Sequence, residues 1–406
     1  MNRRVVITGV GAICALGHNA REVWQGMREG RSAIAPLSGF DDPTLRVRVA
    51  AQVRDYDPLQ HFDEKKLLLL DRVSQFALIA AREAVSHSGL DFSADESLRA
   101  RTACVVGTGT GGEQTNDECS KRLYAEGNPR LHPLSIVRRM VNAPASQVSI
   151  EFGATGPAFS VSSACASANH ALASAFALVR SGAADVALAG GTEACITLGV
   201  LRAWEAMRVL ADDTCRPFCK QRRGLVLAEG AGMFVLEDFD HARARGAEIL
   251  AEFAGAGMSA DAGDIVLPSD AGAAKAMQAA LDNAGLNADE IDYINAHGTG
   301  TPANDPTETR AIRKVFGEHA NSLAVSSTKS VHGHALGAAG AIELIAAIGA
   351  LRDQVVPPTA NFLDPDPECD LDYVPNVARK REVRVALSNA FAFGGLNAVV
   401  ALKRAF

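Results

Sequence analysis

Three short segments in the first half of this 406-residue chain return, in the same order, in its second half. Val106-Gly-Thr-Gly-Thr110 corresponds to His297-Gly-Thr-Gly-Thr301, Val161-Ser-Ser-Ala-Cys165 to Val325-Ser-Ser-Thr-Lys329, and Val186-Ala-Leu-Ala-Gly190 to Val385-Ala-Leu-Ser-Asn389. An ordered repeat of this kind means one supersecondary unit used twice. Strand-like runs at 4–8, 103–106 and 186–189 alternate with helical ones around 71–87 and after Cys165, which is the α/β pattern. Both copies of the second segment lead into alanine- and glycine-rich helices containing a histidine. Two such helices are expected to pack against each other between two sheets, because small side chains let backbones approach closely. High helix propensity is the alternative reading of the alanines, but it does not account for the glycines, which weaken a helix. The junction falls within 238–252, after a strand at 233–237, and divides residues 1–250 from 251–406. No flexible linker separates the halves, so they should form one rigid body.

With 48% hydrophobic residues the chain can bury a large core. Its start, Met1-Asn-Arg-Arg-Val-Val-Ile, runs directly into a strand pattern and lacks the apolar segment and cleavage site of a secretory signal, so a cytoplasmic location is expected. The apolar stretch 335–351 carries Glu343 and many small residues, and reads as a buried helix rather than a membrane span. Eight cysteines without a pairing pattern argue for reduced thiols. The one close pair, Cys215 and Cys219, lacks two further ligands at suitable spacing, and no metal is expected. A net charge of −7 with dispersed basic residues gives no support to nucleic-acid binding.

Cys165 precedes an apolar face at helical spacing, Ala168, Ala171, Leu172, Ala175 and Phe176, which ends at Ser181-Gly182. That places the thiol on the first turn of a helix, where free N–H groups and the dipole favour thiolate; a small buried cysteine is the competing reading. His297 leaves the apolar run 291–294 and enters a loop containing Thr299, Thr301 and Asp305, at the kind of strand end where α/β active sites collect. The threonines either satisfy their own turn or bind the amides of an extended substrate arm; the loop has no phosphate-binding lysine. Lys329, His332, His334 and Glu343 lie in an apolar setting. Lys329 either forms a structural ion pair with Glu343 or Glu308, or supplies positive potential that keeps a nearby histidine neutral. His332 reads as structural. Near the C-terminus, Phe391 and Phe393 flank a Gly394-Gly395 turn and either line an apolar tunnel or join the core.

Taken in order, Ser163-Ala-Cys165, Asn295-Ala-His297-Gly-Thr-Gly-Thr301-Pro, Lys329 with Gly333-His334-Ala-Leu-Gly-Ala-Ala-Gly340, and Phe391-Ala-Phe393-Gly-Gly395 resemble the motifs of the β-ketoacyl-acyl-carrier-protein synthases across nearly the whole chain. The resemblance implies a thiolase-like fold of two pseudo-duplicated halves in five α-β-α-β-α layers. It implies that Cys165 accepts an acyl chain as a thioester, and that His297 and His334 hydrogen-bond the malonyl thioester carbonyl. The N–H groups of Cys165 and Phe393 would form an oxyanion hole, and Lys329, Glu308, Glu343 and Asp305 a supporting shell. Thr299 and Thr301 would hold phosphopantetheine, with Phe391 and Thr110 as further substrate contacts, Thr110 at the acyl-pocket wall. The arm of an acidic acyl carrier protein would be the only cofactor, docked on some of Lys65, Lys66, Arg138, Arg139, Arg202 and Arg208, and the enzyme would be a homodimer. Ala392 stands where the gating loop often has glycine, and Leu396 where threonine is usual. Residues 199–218 and 369–372 resemble nodulation-type ketosynthases, so a specialised or type II polyketide ketosynthase is the alternative. A thiolase fits less well because of the two histidines and the lysine, and a non-catalytic chain-length factor because of Cys165.

Overall fold

A computed structural model describes residues 3–405. Ten strands form one continuous sheet, and the sequence repeat reappears in its topology. The first half contributes β1 (Val5–Cys14), β2 (Thr102–Gly107), β3 (Ala158–Val161), β4 (Val186–Glu193) and β5 (Gly230–Asp238). The second contributes β6 (Ala251–Ala260), β7 (Tyr293–Asn295), β8 (Ala324–Ser326), β9 (Val385–Ala392) and β10 (Leu396–Arg404). The order is β3-β2-β4-β5-β1 in one half and β8-β7-β9-β10-β6 in the other. In both halves the second strand pairs in parallel with the third and fourth, while the fifth runs antiparallel to the fourth and first. The three repeated segments thus mark topologically equivalent strands. The halves join through β1 and β6, antiparallel, at Val5↔Phe253, Val6↔Glu252 and Ile7↔Ala251.

The helices complete five layers. Helices α1 (Arg72–Ser88) and α2 (Ala143–Phe152) cover the outer face of the first half. Next in the chain come α3 (Ser167–Arg180), which follows the Cys165 turn, and α4 (Leu198–Met207), capped by the Thr197 side chain. On the far face of the second half lie α5 (Asp270–Ala284) and, packed on it, α6 (Asn304–Phe316); the last helix is α7 (Ala339–Asp353). Helices α3 and α7 touch each other and strands of both halves, so they are the central layer. Every residue from Ala339 to Leu351 is buried, which removes any need to read that stretch as a membrane span. Among the described residues no helix is long and apolar enough to cross a membrane.

The strands run longer than the sequence pattern suggests, and glycine is the reason. Gly9 and Gly11 read as the end of a strand, yet β1 continues through both. A Cβ at Gly11 would stand 2.1 Å from the Ala80 carbonyl oxygen of α1, so the residue is there to let helix and sheet touch rather than to break the strand. The central layer obeys the same rule. A Cβ at Gly340 would stand 2.1 Å from Asn169 Oδ1, while the Asn169 amide donates to the carbonyls of Ser388 and Ala398 at 3.1 and 3.2 Å. Helix propensity favours alanine over glycine by about 1 kcal/mol, but overpacking costs roughly 1–3 kcal/mol. Gly340→Ala should therefore lower unfolding stability by about 1–2 kcal/mol in urea denaturation; a stabilised variant would contradict this packing.

Candidate active site

The nucleophile candidate sits in a turn rather than on the helix itself. α3 begins at Ser167, two residues later than the sequence pattern suggests, and Ala164 takes a left-handed φ of 48° just before Cys165. Cys165 is only 5% exposed. Burial pushes its thiol up to about 12; the Lys329 ammonium opposes that shift and the Glu193 carboxylate adds to it. The expectation of a standing thiolate is therefore corrected: desolvation outweighs the helix start, and at rest the group is a neutral thiol.

His297 follows β7, and its loop is held from below by a buried carboxylate. Glu308, on α6, accepts the N–H groups of His297 and Gly298, both at 2.8 Å, and the Asn389 amide at 3.1 Å. With its oxygens committed to those donors, Glu308 is not the ion-pair partner of Lys329. That partner is Glu343 on α7, with both side chains fully buried. The Lys329 ammonium also donates to the His297 carbonyl at 2.6 Å and lies 3.4 Å from His297 Nδ1. An ammonium can only donate, so Nδ1 must present its lone pair and the ring proton sits on Nε2. Burial, reinforced by the Lys329 charge, holds both His297 and His334 well below the ordinary imidazole range, so both are neutral.

Cys165, His297 and His334 line one cleft of about 270 Å³, together with Thr299, Thr301, Phe391, Ala392 and Phe393. The rings of His297 and His334 meet edge to face, with centroids 5.4 Å apart. Among the described residues neither nitrogen of His334 has a hydrogen-bond partner, although the ring is buried. A buried imidazole left in that state needs a ligand to complete it. Thr299 and Thr301 share a hydroxyl hydrogen bond at 2.9 Å, and Asp305 orders their loop by accepting from Phe218 N at 2.7 Å and Gly300 N at 3.2 Å. Burial raises Asp305 to about 6.

Other residues singled out from the sequence lie elsewhere. His332 donates to or accepts from Thr328 Oγ1 at 3.0 Å and does not line the cleft. Thr110 is also outside the cleft lining; its hydroxyl and amide are held by Glu193 at 2.7 and 3.2 Å. Cys215 Sγ donates to the Thr299 carbonyl and Cys219 Sγ contacts Gln221, and among the described residues no group of His, Cys, Asp or Glu could hold a metal ion. Three contributors escaped the sequence reading: Trp204, the 266–268 segment and Glu193. Trp204 of α4 lines the cleft and stacks on Phe393 with ring centroids 5.9 Å apart, and Val266, Leu267 and Pro268 also line it. Trp204 has no sequence signal beyond being one of two tryptophans. Glu193 had one: a carboxylate closing an apolar strand.

The ion pair that supports His297 gives a direct test. Removing one partner of a buried pair leaves an uncompensated charge and costs about 3–5 kcal/mol, whereas replacing both by apolar residues is often neutral. Glu343→Gln should therefore destabilise the fold by roughly that amount, while Lys329→Met combined with Glu343→Leu recovers most of it, as measured by equilibrium denaturation.

Comparison with known proteins gives a consistent answer over the same residues. The family "Beta-ketoacyl synthase, N-terminal domain" matches residues 2–242, and "Beta-ketoacyl synthase, C-terminal domain" matches 250–363. The chain is 53% identical over 404 residues to Nodulation protein E of Rhizobium sp. (strain N33), covering 100% of both chains. It is 42% identical over 413 residues to 3-oxoacyl-[acyl-carrier-protein] synthase 2 of Synechocystis sp., covering 99% of this chain and 98% of that one. A solved structure described as a type II PKS acyl-carrier protein in complex with its ketosynthase bound to the hexaketide superposes with a TM-score of 0.90 at 31% identity, over 100% of both chains.

Proposed function

The chain belongs to the β-ketoacyl synthase family, and on that premise we propose that it is a 3-oxoacyl-[acyl-carrier-protein] synthase working by decarboxylative Claisen condensation. The observation that carries the reading is the shared cleft: a buried thiol faces two neutral imidazoles, one of them with no protein partner at either nitrogen. In the first step the Cys165 sulfur attacks the carbonyl of an acyl thioester, the carbon–sulfur bond to the carrier breaks, and the thiol proton passes to the leaving thiolate. In the second, malonyl thioester loses carbon dioxide, and the Nε2–H of His297 with an N–H of His334 stabilises the enolate oxygen. The enolate carbon then attacks the acyl group on Cys165. The new carbon–carbon bond forms as the carbon–sulfur bond to the enzyme breaks, and the Cys165 thiolate that departs takes a proton from solvent to restore the thiol.

In this reading residues 1–250 form the half that carries the nucleophile, and 251–406 the half that carries Lys329 and the histidines. Thr299 and Thr301 bind the phosphopantetheine arm, Phe391 lines its path, and Phe393 gates the entrance. The 53% identity to Nodulation protein E, against 42% to synthase 2, favours a specialised acyl chain over a housekeeping one, a point that a panel of carrier-bound acyl chains decides. A second copy of the chain is the proposed partner at the edge strand β3. Exposed apolar residues on that edge strand and on the helix packed against it, Phe159 of β3 and Ile150 of α2, support this.

Acyl-carrier thioester should add one acyl mass to the intact protein, at Cys165; a folded protein that stays unmodified excludes the synthase reading. Cys165→Gln should abolish condensation and retain malonyl decarboxylation. Because burial and Lys329 keep both histidines neutral well below 6.5, that decarboxylation should show no loss from histidine protonation between about pH 6 and 8. A rate lost as pH drops through 6.5 would mean that one of these histidines titrates at its ordinary value and is not held neutral by burial and Lys329.

The basic candidates for carrier docking are not equivalent. Lys66 is paired with Glu151, and Arg202 with Asp42 and Glu205, whereas Lys65, Arg139 and Arg208 make no ion pair among the described residues. Arg208 alone of the six lines the cleft. Arg208→Glu should raise KM for carrier-bound substrates several-fold, more at low salt and more than Lys65→Glu does. Equal and salt-independent KM values would remove this surface from the docking site.

A further inference from the structure

The turn that presents Cys165 is held by side chains that lie outside the cleft. Ala164, a non-glycine residue at φ 48°, is under local strain that its surroundings must support. Ser167 Oγ donates to the Ala164 carbonyl at 2.7 Å and accepts the Ser163 N–H at 2.9 Å, closing the turn across its strained residue. His170, one turn further along α3, places Nδ1 at 2.8 Å from Ser163 Oγ and 3.1 Å from the Ala166 carbonyl. A carbonyl can only accept, so Nδ1 carries the ring proton, and that single N–H reaches the residues on both sides of the Ala164-Cys165 dipeptide. The nucleophile is thus bracketed by hydrogen bonds from Ser163 to Ala166. Among the described residues no backbone acceptor takes the Cys165 N–H itself, which leaves it available to an incoming oxyanion.

We propose that His170, acting with Ser163 and Ser167, is a positioning residue for the acyl-transfer step. It holds the Ala164 turn in its left-handed form, so that the Cys165 sulfur and N–H both face the cleft. His170 takes no part in the chemistry and does not line the cleft. If the bracket is released, Ala164 can relax toward ordinary backbone geometry, and the Cys165 side chain and N–H rotate with it. The decarboxylation step, carried by His297 and His334 from the other half, has no such dependence. The proposal rests on Cys165 as the acyl acceptor, and the two ideas fail differently: a wild-type protein that acquires no acyl group refutes that role, whereas acylation that ignores His170 refutes only the positioning.

His170→Ala should slow both iodoacetamide alkylation and acylation of Cys165 by roughly tenfold to a hundredfold, the usual cost of a small misplacement. His170→Asn, whose amide nitrogen occupies the place of Nδ1, should restore most of the rate, and His170→Gln should not. In the Cys165→Gln background, adding His170→Ala should leave malonyl decarboxylation within about twofold. Should His170→Ala fail to fold, Ser167→Ala provides the same test at the other side of the turn. The proposal is overturned if acylation is unchanged, if Asn and Gln rescue equally, or if decarboxylation falls in parallel with acylation.

Discussion

Everything in this molecule depends on how closely two helices can lie between the two halves of one sheet. α3 and α7 have no outer face; each touches the other and strands of both halves, and α7 is buried from Ala339 to Leu351. Such a layer can close only where side chains are nearly absent, so glycine and alanine occupy it. Gly232 of β5 lies against Ala341, Gly191 of β4 against Ala168, and Gly340 against Asn169. The same closeness brings the turn before α3 and the loop before α7 into one space. The thiol of the first half and His334 of the second meet there because the two helices meet, and His297 joins them from the loop after β7.

Bringing loops together in a dry interior leaves backbone N–H groups unpaired, and each half solves this with a carboxylate that forms no salt bridge among the described residues. In the second half Glu308 accepts the N–H groups after β7. In the first, Glu193 accepts Gly109 N at 2.7 Å and Thr110 N at 3.2 Å in the equivalent loop after β2, and reaches across to Gly337 N at 2.8 Å. Burying an unpaired charge is costly, but several charge-assisted hydrogen bonds offset it. Burial raises both groups, and the bonds pull them back. The device is duplicated while its source is not: one carboxylate closes a strand and the other starts a helix. Through Gly337, three residues beyond His334, Glu193 also ties the first half's loop to the histidine of the second.

The sequence carried more of the chemistry than of the boundaries. The repeat was visible because the three matched segments are strands that hold the same places in each half, and the ordered Cys, His, Lys and His were visible because polar residues in apolar runs stand out. Strand ends were misjudged at glycines such as Gly9 and Gly11, since a glycine that admits a helix backbone looks the same in sequence as one that turns the chain. The partner of Lys329 stayed open between Glu308 and Glu343 for a different reason. Both are acidic and both are buried nearby, and only the loop geometry commits Glu308 to backbone donors. Trp204 was invisible because its role depends on which side of α4 faces Phe393.

The neutral state of Cys165 fits its proposed role as a nucleophile held in reserve. A standing thiolate in an open cleft reacts with oxidants and stray electrophiles. Here the thiol is buried, and the nearest strong cation is not spent on it. Lys329 is saturated by Glu343, the His297 carbonyl and the approach of His297 Nδ1, so its charge fixes the tautomer of the imidazole that must donate. The consequence is a division between the halves: the first keeps a buried neutral thiol, and the second keeps two neutral imidazoles. A stronger field at Cys165 would make a better nucleophile at rest, but the same field would need a less compensated Lys329. That would leave an unpaired ammonium buried between the sheets, which the close-packed central layer cannot accommodate.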